Sequence, residues 1–254
     1  MKRFDVCIIG GGAAGLAAAA SLEDHITVCV LEKNQILGRK VLATGGGRCN
    51  ITNEACLHRD VTLEFFNGLG LECYHDEEGR YYPYSNQASD VVAALERALE
   101  PKNCEIRTGF TVQQIKLQKN GFLIEGTEAS PRTGTSKTGA LKREMIAAAQ
   151  VLLATGGKAA PQLGSTGDGY GFAKALGHTT TRIYPILTGI ECGDFSEIKG
   201  VRAKGVVTLF RDGKKLSEEA GEIQFTKDGV SGICVFNLTP HIHAEPGEPI
   251  GEAL

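Results

Sequence analysis

No two cysteines of this chain stand as C-x-x-C, no block of basic residues stands out, and no apolar run reaches the roughly 18 residues of a membrane span. The first absence argues against a zinc ribbon and against a disulfide-reductase dithiol. The second, with a net charge of −3 over 254 residues, leaves nucleic acid an unexpected partner. The third leaves a membrane unexpected as well. The polar stretch Gly126 to Arg143 lacks G-x-x-x-x-G-K-[ST], so it is not a phosphate-binding P-loop. His241 and His243 alternate as a strand face would, but no third metal ligand is evident and no metal is expected; the scattered histidines offer no obvious general acid. No internal repeat is visible. The eight cysteines do not read as a disulfide framework, because the chain is long and Cys7 and Cys29 fall in apolar, strand-like runs. Lys2 and Arg3 before an apolar run imitate a signal peptide, but three successive glycines interrupt that run, and the expected location is the cytoplasm.

Glycine, by contrast, is plentiful. The 33 glycines cluster at a few places, as cofactor loops would. Residues 2–24 read as a buried strand, a glycine turn and a helix, with Gly10, Gly12 and Gly15 on the G-x-G-x-x-G spacing. A second strand, Ile26 to Leu31, ends at Glu32. Gly10 lets the chain turn off the strand, Gly12 lets a pyrophosphate approach the backbone, and Gly15 lets the helix pack closely on the sheet. The helix start, Ala13 and Ala14, offers free N–H groups and partial positive charge to phosphates. Glu32 is placed to accept hydrogen bonds from both ribose hydroxyls and to repel a 2′-phosphate.

Farther along, a glycine- and cation-rich loop spans Gly38 to Asn53. Helical periodicity follows over Asp60 to Gly68 and again over Ser89 to Glu100, the second capped by Ser89 or Asp90 and stopped by Pro101. Phe110 to Leu117 alternates as a strand, Asn120-Gly121 is a hairpin turn, and Phe122 to Glu125 returns. Gly126 to Arg143 reads as a long mobile loop. Gln150 to Thr155 is another buried strand, followed by a helix from about Asp168 to Gly177; Asp168 is its cap or a cofactor contact. Short strands are expected at Val206 to Phe210, Glu222 to Thr226 and Ile233 to Leu238. The domain boundary is placed near 188.

Three longer motifs narrow the cofactor: Gly38-Arg-Lys-Val-Leu-Ala-Thr-Gly-Gly-Gly-Arg-Cys-Asn-Ile-Thr-Asn53; Val151-Leu-Leu-Ala-Thr-Gly-Gly157 with Ser165-Thr-Gly-Asp-Gly-Tyr-Gly171; and Gly221-Glu-Ile-Gln-Phe-Thr-Lys-Asp-Gly-Val-Ser-Gly232. With the N-terminal fingerprint they resemble the YhiN/BaiN-type flavoproteins, a branch of the two-dinucleotide-binding-domain superfamily, from residue 4 to about 240. The resemblance implies an α/β fold: a Rossmann-like FAD-binding domain over 1–188, with a central parallel sheet and an antiparallel hairpin region, and a partial β-rich substrate or cap domain over 189–254. It implies FAD in an extended pose. The AMP half would lie on the Gly10 turn, Glu32 and Lys33. The backbone at Val112 would meet the adenine, and Ala154, Thr155 and Gly156 would pass the cofactor's midsection. From the basic loop, Arg39, Lys40, Gly45, Gly46, Arg48 and Asn50 are the candidate contacts. The residues point the same way, since Gly45-Gly46-Gly47 is a candidate anion nest and the inserted loop and hairpin region differ from a simple NAD dehydrogenase.

The expected activity is therefore an FAD-dependent oxidoreductase acting on a small organic molecule, with NAD(P)H as a transient donor or another electron partner. An NAD-only dehydrogenase, a non-catalytic nucleotide-binding remnant and a flavin-dependent RNA-modifying enzyme stay open, although the acidic balance speaks against the last. Cys49 beside Arg48 is either a low-pKa thiol or an inert packed one. Arg80 to Tyr84 either lines a substrate mouth, Arg80 meeting a carboxylate, or covers a surface edge. Flavoproteins of this class close their first domain with a late returning strand, which nothing after Leu238 supplies. The chain is accordingly expected to be a truncated product or fragment with weak FAD binding by itself.

Overall fold

The computed structural model describes residues 1–129 and 141–242. The middle of the polar stretch, His243 and the segment 244–254 lie outside the described residues. The chain divides into two compact units, Met1–Thr180 and Thr181–Leu254.

In the first unit, the apolar run Val6 to Ile9 makes β1 (Lys2–Ile9) a strand buried on both faces, as parallel sheets require. It leads through the glycine turn into α1 (Ala13–Ser21) and β2 (Val28–Glu32). The excursion after β2 comprises α2 (Arg39–Ala43), β3 (Thr52–Asn53), α3 (Arg59–Gly68), β4 (Cys73–His75), β5 (Arg80–Pro83) and α4 (Ala88–Arg97). The chain then returns as β6 (Cys104–Thr108), β7 (Phe110–Gln118), β8 (Gly121–Ala129) and β9 (Leu141–Leu153), and ends in α5 (Asp168–Ala175). The main sheet has the order β6-β2-β1-β9-β8-β7. Its first four strands are parallel, with Ile8 opposite both Val30 and Leu152, while β9, β8 and β7 run antiparallel. Strand alternation divides the core in two. Ile8, Val28 and Val30 pack with Leu16 and Ala19 of α1 and Val91 and Leu95 of α4; Cys7, Ile9 and Leu31 pack with Phe110, Ile124 and Ile146. A small antiparallel sheet, β3-β5-β4, stands apart. This is the Rossmann-like α/β arrangement expected.

The second unit contains β10 (Ile190–Glu191), β11 (Arg202–Arg211), β12 (Lys214–Phe225), β13 (Gly229–Ser231) and α6 (Ile233–Leu238). Its sheet is antiparallel in the order β10-β13-β12-β11. The Asp212-Gly213 turn joins β11 to β12 with both residues at positive φ, 50° and 75°.

Several expectations need correction. Ile233 to Leu238 is a helix, not a strand, because helical spacing buries Cys234, Val235 and Leu238 together while Ile233 stays exposed. The α4 cap is Gln87, not Ser89 or Asp90; burial of Ala88 starts the helix earlier and leaves Asp90 in the first turn, where it suits the helix dipole. Asp168 is not a cap either, since Gly167 holds that position. Residues 126–129 and 141–143, expected in the loop, extend β8 and β9, because cross-strand pairing continues to Ala129 and Leu141. Among the described residues, no helix is long and apolar enough to cross a membrane.

Candidate cofactor site

The glycine turn sits where β1, β2 and β9 end. Gly10 has φ of 115°, and a Cβ there would lie 2.4 Å from the Ala154 carbonyl oxygen. Gly15 is packed more tightly still, its imagined Cβ 1.9 Å from the Gly10 oxygen. Gly12 is different in kind: a Cβ would meet no atom within 4 Å, so the space beside its backbone is open. The first intrahelical bond of α1 runs from Leu16 N to Gly12 O, 3.0 Å. Ala13 and Ala14 are both exposed and line the opening, and their N–H groups precede that ladder.

Glu32, 8% exposed, ends β2 beneath this turn. Its Oε2 accepts from Gly11 N at 2.8 Å; its Oε1 accepts from Asn34 N at 2.7 Å and Asn34 Nδ2 at 2.6 Å. These three donors offset the cost of burying a carboxylate. Of about four acceptor directions on the group, one remains, on Oε2. Asn34 is held in turn by Arg39, whose Nη1 donates to its Oδ1 at 2.7 Å and whose Nη2 donates to the Gln162 oxygen at 3.1 Å. Lys33 donates to Thr166 Oγ1 at 2.6 Å and to Asp168 Oδ2 at 2.7 Å. Burial opposes ionisation of Asp168, but donation from Lys33 and Thr166 outweighs it and holds this carboxyl below its ordinary value. The tip of β2 is thereby tied to the segment between β9 and α5.

A cleft of about 1160 Å³ opens on these groups, larger than the roughly 300–1,000 Å³ of sites for drug-sized ligands. Its rim holds Gly10, Gly12, Ala13, Ala14, Glu32 and Lys33 from the βαβ unit. Arg39, Lys40 and Asn50 join from the basic loop, Val112 from β7, and Ala154, Thr155 and Gly156 from the end of β9. Val61, Phe65 and Phe66 of α3 form an apolar wall. Gly15 lies under the helix and is not on the rim. Gly45, Gly46 and Arg48 are not on it either. The triple glycine forms a tight turn with φ of 56°, 66° and 87° at Gly45, Gly46 and Gly47. Arg48 folds back from it, its Nε 3.3 Å from the Gly45 oxygen and its guanidinium 4.3 Å from the centre of the Tyr82 ring.

Cys49 is buried, and desolvation pushes its thiol up, which is the inert reading of the two. Arg80 pairs with Asp76 at 2.9 Å and with Glu78, so it is not a free carboxylate receptor; Tyr82 is buried and Tyr84 exposed. Sequence reasoning missed Asn34 and the Lys33–Asp168 pair. An amide two residues beyond the acid was a readable signal for the first. Nothing local marks the second.

The fold and cleft define a Rossmann-type dinucleotide-binding domain. The chain belongs to the HI0933-like family: the model described as HI0933-like protein Rossmann domain matches residues 4–61 and 56–239. The 3-dehydro-bile acid delta(4,6)-reductase of Clostridium scindens is 38% identical over 92% of this chain and 59% of its own length. The ribosomal RNA dihydrouridine synthase of Escherichia coli is 25% identical over 98% of this chain and 63% of its own. The chain thus spans about three-fifths of the length of these curated relatives. The crystal structure of Thermovibrio ammonificans THI4 superposes with a TM-score of 0.47 at 16% identity, covering 78% of this chain and 70% of that one.

Proposed function

We propose that this chain carries the FAD-binding region of a flavin-dependent oxidoreductase that reduces a carbon–carbon double bond in a small, largely apolar substrate, with NAD(P)H as the transient electron donor. The observation that carries the reading is the open space over Gly12, bounded by the uncapped start of α1 on one side and Glu32 on the other. A diphosphate suits the first, because N–H groups and the helix dipole favour negative charge there. A ribose hydroxyl suits the remaining acceptor direction on Glu32 Oε2. A 2′-phosphate does not suit that carboxylate, which fits FAD. The length of the cleft, reaching from the glycine turn past Lys40 and Asn50 to α3, suits an extended two-part ligand better than a mononucleotide.

Bound flavin would supply hydride transfer. The protein's own residues bind and orient: the α1 N–H groups and Gly12 hold phosphate, Glu32 with Asn34 and Arg39 fixes the sugar, and the apolar wall of Val61, Phe65 and Phe66 excludes water. The reaction class is supported by the relatives' names. Reduction of a dehydro-bile acid and formation of dihydrouridine both add two hydrogens to a double bond. A small substrate is favoured over RNA by the higher identity to the bile-acid enzyme and by 27 basic against 30 acidic side chains, which give RNA phosphates no cationic excess.

Anaerobic titration tests this. NADH or NADPH should bleach the flavin absorbance, and a conjugated enone should restore it. Bleaching with no re-oxidation by any enone, but with dihydrouridine formed in added ribosomal RNA, would replace the small-molecule reading with the RNA one. No bleaching by either nucleotide would remove the donor assignment.

A further inference from the structure

After β9 the chain makes one last bond to the sheet, from Ala154 N to the Ile9 oxygen at 2.8 Å, and regains a long element only at α5. Residues 156–167 between them form a compact loop of the Ω type, a surface run of roughly 6–16 residues whose ends lie close together. Glycine makes that closeness possible. A Cβ on Gly169 would lie 2.3 Å from Thr155 Oγ1, one on Gly156 2.8 Å from Ser165 Oγ, and one on Gly167 2.8 Å from Lys158 Cγ. The two ends, Gly156 and Gly167, have φ of 73° and 81°, which glycine adopts without steric cost. Within the loop, Leu163 N donates to the Ala160 oxygen and Gly164 N to the Pro161 oxygen, both at 2.9 Å, so it holds a shape of its own.

This loop supplies one wall of the cofactor cleft. Leu163, Gly164 and Ser165 line the cleft, and so do Lys33, Arg39 and Lys40. The two segments meet along a seam made by side chains. Lys33 Nζ donates to Thr166 Oγ1 at 2.6 Å and to Asp168 Oδ2 at 2.7 Å. Arg39 Nη2 donates to the Gln162 oxygen at 3.1 Å, and Lys40 Nζ to the Ala159 oxygen at 3.4 Å. Among the described residues, no backbone–backbone hydrogen bond joins 33–40 to 156–167. The Lys33 and Asp168 side chains are 29% and 43% exposed, so water can replace their bond without leaving a buried charge unpaired. A compact loop with glycine at both ends, fastened by a few water-accessible side-chain bonds, has the low local stability that a moving wall requires.

We propose that residues 156–167 are a hinged lid on the cofactor cleft, swinging on Gly156 and Gly167 and latched by Lys33, and that the cofactor enters and leaves only while the latch is open. The inference rests on the reading that the cleft holds FAD. A latch and a cofactor ligand differ in their kinetics. Loss of a ligand speeds dissociation and weakens binding. Loss of a latch lowers the barrier to entry and exit alike and leaves affinity nearly unchanged.

The test compares the wild type with the double variant Lys33→Met/Asp168→Asn, which removes the latch and keeps the net charge. Stopped-flow flavin fluorescence gives the association and dissociation rates of FAD. Both should rise about fivefold, the upper range for a partly exposed ion pair, while Kd changes by less than about twofold. Hydrogen exchange without flavin should quicken at Leu163 and Gly164 and stay unchanged at Ile8 in β1. Thr166→Val, at an exposed position outside the core, should speed both rates by a smaller factor. If only dissociation quickens, Lys33 is a cofactor ligand and the lid is refuted. FAD uptake with both rates at the wild-type values overturns the lid alone, whereas a wild-type protein that takes up no FAD overturns the cofactor reading and the lid together.

Discussion

Two glycines of one turn, three residues apart, should respond to the same substitution in opposite ways. In Gly12→Ala the backbone, at φ −86° and ψ −172°, already suits alanine, and the new methyl meets no protein atom within 4 Å. Stability should change by no more than about 0.5 kcal/mol. On the proposed reading the methyl occupies the space a diphosphate would take, so charge-assisted hydrogen bonds of roughly 1.5–3 kcal/mol would be lost and FAD affinity should fall about 10- to 100-fold. In Gly15→Ala the methyl would sit 1.9 Å from the Gly10 oxygen and 3.2 Å from Ile8 Cγ2, so α1 must lift off the sheet. Overpacking of this kind costs about 1–3 kcal/mol or more, which lowers Tm by several degrees, roughly 2–4 °C per kcal/mol in a unit of this size. Flavin-fluorescence titration gives the affinity and circular-dichroism melting the stability. If Gly12→Ala binds FAD like the wild type, or melts as early as Gly15→Ala, the assignment of the open space to phosphate is wrong.

Asn34→Ala removes a donor to Glu32 and the acceptor that steadies Arg39; FAD should bind about tenfold more weakly, roughly one net hydrogen bond, by the same titration. Asp168 should contribute to stability in a pH-dependent way. Its folded-state pKa lies below the ordinary 3.8, so the contribution is whole above that value and is lost as pH falls through the lower folded value. Asp168→Asn should therefore destabilise to the same extent at pH 6 and pH 8 and progressively less below about pH 4 in acid-unfolding curves; a growing penalty on acidification would contradict the Lys33 pairing. In the second unit, Leu238→Ala empties a fully buried site beneath α6 and should cost about 2–5 kcal/mol in denaturant unfolding; a cost under 1 kcal/mol would mean that α6 does not anchor this unit.

The βαβ unit was readable in sequence because each of its requirements is local. A buried strand must run apolar, a turn at φ of 115° selects Gly10, and close packing of α1 selects Gly15. The same locality made the Asp212-Gly213 hairpin legible. What escaped was decided by distant partners. Ile233 to Leu238, short and rich in strand-forming side chains, is a helix because packing against β12 collects Cys234, Val235 and Leu238 on one face. Lys33 meets Asp168 across 135 residues. The basic loop was legible in composition but not in aim: Arg39 reaches Asn34 and Lys40 reaches the rim, whereas Arg48 turns onto Tyr82. Backbone turns at successive glycines, not charge, decide which cation faces the cleft.

The central claim is that the cleft over Gly12 and Glu32 holds FAD. It is tested most directly by a visible spectrum of the protein as purified, with the released cofactor identified by mass. Flavin bands, as purified or on addition of excess FAD, and a released mass of FAD are predicted, with the bands lost in Glu32→Ala. A colourless protein that takes up no flavin from excess FAD, or one that releases FMN, would contradict it.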